Sequence, residues 1–180
     1  MKVLAFAASN SRQSINKQLV SYAGGLLEGG LIENVTVELI DLNDFEMPIF
    51  SVDREQESGI PSQAHDFYKK IGEADALLIS YAEHNGTYTA AYKNLYDWAS
   101  RIDMKVFQGK VMVLLATSPG PGGASNVLAA AKKSAPYFGG EVKADLSIPS
   151  YFDQVDGESG QVTNDDIGKA LQAALLTLSD

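Results

Sequence analysis

KVLAFAASNSRQSIN, residues 2–16, decides the architecture. The first seven residues are almost continuously apolar, as in a strand covered on both faces rather than one with an alternating wet side. Small polar side chains at 9–14 (SNSRQS) break the run. From Ile15 onward, Ile15, Leu19, Tyr22, Ala23 and the Leu26–Leu27 pair recur at near-helical spacing, predicting a helix over 15–28 that stops at Gly29–Gly30. A buried strand that passes through a short polar loop into a helix opens a βαβ unit.

The unit repeats outward along the chain. Residues 35–39 (VTVEL) read as a second strand, and 41–60 as a longer loop carrying Pro48 and Gly59. Pro61 stands near the start of a helix ending around Glu73, where a prolyl residue costs least. ALLISY at 76–81 is a third strand, followed by the loop AEHNGT and a helix over 89–101 with Tyr92, Leu95 and Tyr96 on one side. VMVLLAT at 111–117 is the strongest strand signal. SPGPGG (118–123) is a tight loop, 124–138 a helix, and 142–148 a weaker strand. A polar loop runs to about 162, and a last helix spans about 165–178. Five strands alternating with five helices predict right-handed crossovers and a parallel sheet coated on both faces, in one domain over residues 1–180 without linker or repeat.

Composition agrees with a single folded domain. At about 150 residues per domain, 180 residues make one, and 45% hydrophobic with 21% charged residues is a globular mixture. The net charge of −9 argues against general nucleic-acid backbone binding, which needs surplus cations, and against attraction to an anionic membrane surface. With no cysteine, disulfides, iron–sulfur ligation and thiolate catalysis are excluded. His65 and His84 are the only imidazoles and have no paired spacing; a carboxylate-only metal site stays open, but nothing in the sequence specifies one. The N-terminal apolar run is short and reads as a strand rather than a signal peptide, and no apolar stretch is long enough to span a bilayer. A cytoplasmic location is the expectation.

In open α/β sheets, ligands bind beyond the carboxyl ends of the strands, and three loops fall there. Neither G-x-G-x-x-G nor GxxxxGK[ST] occurs. Residues 9–16 instead offer the hydroxyls of Ser9, Ser11 and Ser14, the Asn16 amide and the unpaired N–H groups of a helix start, a phosphate grip with few cations. The alternative is an ordinary N-cap at Ser14 and a solvated loop, with Arg12 facing water. The second loop places Glu83, His84, Asn85, Gly86, Thr87 and Tyr88 at the same edge. Asn85 and neighbouring amides suit a heterocycle's imide edge; Gly86 permits a turn or the close approach of a planar ligand. The glycines of 118–123 either let backbone meet a flat ring or simply make a tight connection. Trp98 reads as core, His65 as surface or packing, and Asp53, Arg54, Glu55 and Glu57 as an exposed charged loop.

Together these residues resemble the NADPH-dependent FMN reductase family. Its G-S-x-R-x-x-S-x-N signature is matched by Ala8-Ser9-Asn10-Ser11-Arg12-Gln13-Ser14-Ile15-Asn16, with Ala8 for the glycine and the arginine one place late. Its P-E-Y-N-x-S-x-P-G-x-L-K-N-x-I-D-W signature is matched at 82–98, which retains Glu83, Asn85, Lys93, Asn94, Asp97 and Trp98. Thr89–Ala90 replaces Pro–Gly, and His84 replaces the tyrosine. The resemblance implies a flavodoxin-like three-layer sandwich with strand order 2-1-3-4-5, binding FMN. Ser9, Ser11, Arg12, Ser14, Ile15 and Asn16 would sit at its phosphate. Glu83, His84, Asn85, Gly86 and Thr87, with Ser118, Pro119, Gly120, Gly122 and Gly123, would surround its ring. It also implies electron transfer from NAD(P)H to a quinone, free flavin or other small acceptor with no side chain acting as catalyst, and a homodimer or homotetramer in which the 53–57 segment borders a partner's site. A flavodoxin-like electron carrier reduced by a protein partner is the alternative, and a scaffold without flavin a third.

Overall fold

The computed structural model describes every residue except Glu158 and Asp180. Five strands, β1 (Lys2–Ala8), β2 (Thr36–Ile40), β3 (Ala76–Tyr81), β6 (Val111–Thr117) and β7 (Glu141–Ile148), form a parallel sheet ordered β2-β1-β3-β6-β7. In order along the sheet these are 2-1-3-4-5, the order implied by the resemblance. Between β3 and β6 a small antiparallel hairpin pairs β4 (Glu83–His84) with β5 (Thr87–Tyr88).

The period-two alternation of side chains divides the core into two layers. Leu4, Phe6, Leu77, Ile79, Met112 and Leu114 face α3 (Ser62–Glu73), α4 (Ala90–Ile102) and α5 (Ser125–Ser134). Val3, Ala5, Leu78, Val113 and Leu115 face α1 (Ile15–Leu26) and α7 (Asp165–Leu176). Because β3 is covered on both faces, all six of its residues are buried.

The differences from the sequence reading have local causes. The 41–60 loop contains a helix, α2 (Val52–Ser58), capped by Ser51 and carrying Asp53 and Glu55 in its first turn. Its residues are all at least partly exposed, so no apolar periodicity announces it. The AEHNGT loop is the β4–β5 hairpin: Asn85 (φ 53°) and Gly86 (φ 79°) supply the left-handed pair that a two-residue turn requires. The first helix ends where the sequence reading stops it: α1 passes at Leu27 into a π turn, and Gly30, at φ 100° and outside helical geometry, breaks the run. α5 gives way at Ala135–Phe138 to a 3-10 turn holding Pro136, which cannot continue an α-helical ladder. A one-turn helix, α6 (Tyr151–Gln154), interrupts the polar loop. On the β2 edge, the Glu28 carboxylate from the π turn accepts from Val37 N at 3.0 Å.

Candidate active site

The carboxyl ends of β1, β3 and β6 open into a cleft of about 280 Å³. Loop 9–16 supplies Ser9, Ser11, Ser14, Ile15 and Asn16, the hairpin supplies Glu83 and His84, and the glycine-rich loop supplies Ser118 and Pro119. The cleft also draws on Gln13, Ala82 and Thr117, which the sequence reading did not single out. Gln13 lies inside the quoted motif, and Thr117 is the last residue of the strongest strand. Arg12 is not in this cleft but in a neighbouring cavity. Asn85, Gly86 and Thr87 form the exposed hairpin tip, and neither they nor Gly120, Gly122 and Gly123 line the cleft.

Ser14 is the N-cap of α1: its Oγ accepts from Lys17 N at 3.3 Å. Ser9 Oγ accepts from Ser11 N at 3.2 Å. Both serines are buried, and among the described residues neither hydroxyl hydrogen has an acceptor. Two hydroxyl donors at a helix N-terminus, where backbone N–H groups are also unpaired, make a receptor for an anionic oxygen cluster. Cations contribute little. Lys17 is ion-paired with Asp41, whose carboxyl it holds below the usual range by hydrogen bonding.

Asn16, 2% exposed, turns its amide into the framework. Its Oδ1 accepts from Ser80 Oγ (2.8 Å) and Thr117 N (3.1 Å), and its Nδ2 donates to Thr117 O (3.1 Å). One N–H is left for a ligand. Thr89 has a comparable part: its Oγ1 donates to Ala8 O (2.9 Å) and caps Tyr92 N (3.2 Å), tying the start of α4 to the end of β1. A threonine directly ahead of an apolar helical run was the available sequence signal.

The other two loops are stapled to each other and to the far edge. Glu83 accepts from Val127 N at 2.8 Å, using the first turn of α5 to fix the hairpin. Gly120 O accepts from Ser150 N (2.9 Å), Ser118 O from Tyr151 N (3.0 Å), and Gly123 O from Ser147 Oγ (2.8 Å). Gly123 is at φ 58°, and a Cβ there would lie 2.3 Å from Ser147 Oγ, so only glycine fits. His84 is exposed at the cleft mouth. Behind the cleft, burial pushes the phenols of Tyr81 and Tyr92 well up, which keeps both neutral.

The Lys-Asn-x-x-Asp-Trp run serves as a clamp on the chain after β2. Asn94 Nδ2 donates to Met47 O and Pro48 O (3.2 and 3.1 Å), and its Oδ1 accepts from Phe50 N (2.8 Å). Trp98 is 1% exposed, core as expected, and its Nε1 donates to Pro48 O at 2.7 Å. Lys93 and Asp97 pair along the helix at 2.7 Å.

An NAD(P)H-dependent FMN reductase of Pseudomonas aeruginosa is 32% identical over 120 residues, 67% of this chain and 61% of that protein. A 2-hydroxy-1,4-benzoquinone reductase of a Burkholderia species is 31% identical over 121 residues, 67% of this chain and 62% of that one. The chain thus spans about three-fifths of the length of these relatives. In overall fold it superimposes on the flavoenzyme FerB, an NAD(P)H:(acceptor) oxidoreductase from Paracoccus denitrificans, with a TM-score of 0.79 at 24% identity, covering 99% of this chain and 95% of that one. The NADPH-dependent FMN reductase family matches residues 1–153, a span that takes in all three loops of the cleft and the clamp behind them, and it is to this family that the chain belongs.

Proposed function

We propose that the chain, as one FMN-binding unit over residues 1–180, transfers electrons from NAD(P)H to a small acceptor such as a quinone or free flavin. The observation that carries this reading is the pair of buried serine hydroxyls lining the cleft, Ser9 and the α1 N-cap Ser14, neither of which has an acceptor among the described residues. A phosphate monoester fits that donor set, and hydroxyls with helix N–H groups hold it without the cations this acidic chain keeps elsewhere. Ser9 and Ser14 would hold the phosphate of FMN. His84, Ser118 and Pro119 would border its ring, while Asn16 keeps loop 9–16 in register with β3 and β6. When bound, FMN supplies the hydride acceptance and electron release that no side chain here can perform. The relatives' names, an FMN reductase and a benzoquinone reductase, support the class of acceptor.

The same reading includes a homodimer. Tyr88, Tyr96, Met104 and Phe138 line a groove of about 430 Å³ between α4 and α5. Tyr137 and Met104 are exposed near it, and the buried Tyr96 hydroxyl has no partner among the described residues. A second copy seated there would cover this apolar surface.

Anaerobic titration of FMN-loaded protein with NADH or NADPH tests the function. Bleaching of the oxidised flavin band supports a reductase; bound flavin that neither donor reduces indicates a carrier fed by a protein. Replacing Ser9 and Ser14 together by Ala is expected to weaken FMN binding by at least about tenfold, since each lost hydrogen bond to a charged oxygen is worth about 1.5–3 kcal/mol. Unchanged FMN affinity in that variant removes the serines from the site.

A further inference from the structure

Arg12 is the cation that the flavin cleft leaves out. Ser11 lines the cleft, whereas Arg12, one residue on, lines a separate cavity of about 460 Å³ against the outer side of α1. This lies within the roughly 300–1,000 Å³ of ordinary small-molecule sites. The cavity shares Gln13 and Ser14 with the cleft, so one extended ligand can lie across both.

Its walls carry three complementary chemistries. Arg12 is exposed and has no carboxylate partner among the described residues, while the other cation present, Lys17, is held by Asp41. An unpaired guanidinium grips a phosphate bidentately. Tyr22 offers an aromatic wall, against which a purine can stack. Gln18 has a fixed orientation: the hydroxyl of Tyr151, whose side chain is fully buried, donates to Gln18 Oε1 at 2.8 Å. With its oxygen so engaged, Gln18 presents its NH2 group as a donor. Ser21 adds a hydroxyl on the same side of α1.

A ligand with a phosphate monoester, a purine and acceptor atoms matches this set. We propose that the cavity takes the 2′-phosphorylated adenosine end of NADPH while the nicotinamide end reaches the cleft, so that Arg12 selects the phosphorylated dinucleotide. The assignment rests on the reductase reading given above.

The test uses FMN-loaded full-length protein and calorimetric titration with adenosine 2′,5′-bisphosphate, with adenosine 5′-monophosphate as the matched probe lacking the 2′-phosphate. The expected result is tighter binding of the bisphosphate. In Arg12→Gln that advantage falls by about tenfold, as for loss of one charge-assisted hydrogen-bonded pair. The selectivity for NADPH over NADH shifts by a similar factor. Tyr151→Phe, which frees Gln18, weakens the bisphosphate by a smaller amount. Equal binding of the two probes by the unaltered protein overturns the inference. So does an Arg12→Gln variant whose loss falls on FMN instead, because Arg12 then serves the flavin phosphate. A protein that retains no FMN at all overturns the reductase reading itself, an outcome distinct from flavin-loaded protein indifferent to the 2′-phosphate.

Discussion

Asn16 illustrates how one residue's use differs from its type. Its position two after Ser14 marks it in the sequence as part of a phosphate loop. Its partners, Ser80 and Thr117, lie 64 and 101 residues away and are invisible to local reading. Replacing it by Ala strands the Thr117 N–H and the Ser80 hydroxyl, both buried. We expect Asn16→Ala to cost about 3 kcal/mol, the sum of two unsatisfied buried groups, in a urea melt followed by tryptophan fluorescence. The serines are different: Ser14→Ala alone costs about 1 kcal/mol as a lost cap. A stability loss for Asn16→Ala no larger than for Ser14→Ala would show that the amide is not the keystone described. Arg12 carries the same lesson in reverse, since motif spacing placed it at one phosphate and geometry places it beside another cavity.

At the scale of elements, legibility followed burial. The three central strands and the helices against them were readable because they bury apolar residues, whereas the edge strands β2 and β7 bury only Ile40 and Ile148 and offered less to read. The α2 helix was not readable, because it buries none of its residues. What holds it lies outside its own sequence: Phe50 meets Trp98 edge-on at 5.0 Å, and Glu55 pairs with Arg101 at 2.9 Å. The Asn94 bonds to Met47, Pro48 and Phe50 fix the segment immediately before it. Asn94→Ala is therefore expected to accelerate hydrogen exchange across 47–58 while exchange in β3 and β6 stays slow. Uniform acceleration through the sheet would mean that the segment is a cooperative part of the core. The β4–β5 hairpin was half legible: Asn-Gly is a strong turn signal, but two-residue strands carry no pattern to read.

For the molecule as a whole, pH marks where the charges and phenols matter. Hydrogen bonds from Lys2 and then Lys70 hold Glu38 below its ordinary value of 4.5, and Lys17 holds Asp41 below 3.8. Depressed carboxyls stabilise the fold above their unfolded values and lose that contribution as pH falls through the folded ones. Tyr81 and Tyr92 have the opposite sign: burial raises them above 10.0, so their contribution is complete below pH 10.0 and declines at higher pH as the unfolded phenols ionise. Urea midpoints are thus expected to be flat near neutrality and to fall on both sides. Glu38→Gln with Asp41→Asn should flatten the acid limb alone; an unchanged acid limb would locate that sensitivity elsewhere. The sheet's outer boundary has its own bearing on assembly. Glu28 occupies the outward amide of Val37 on β2, so an incoming extended chain finds a carboxylate where it would need a free donor. Runaway strand-by-strand growth along that rim is thereby opposed at the Val37 amide.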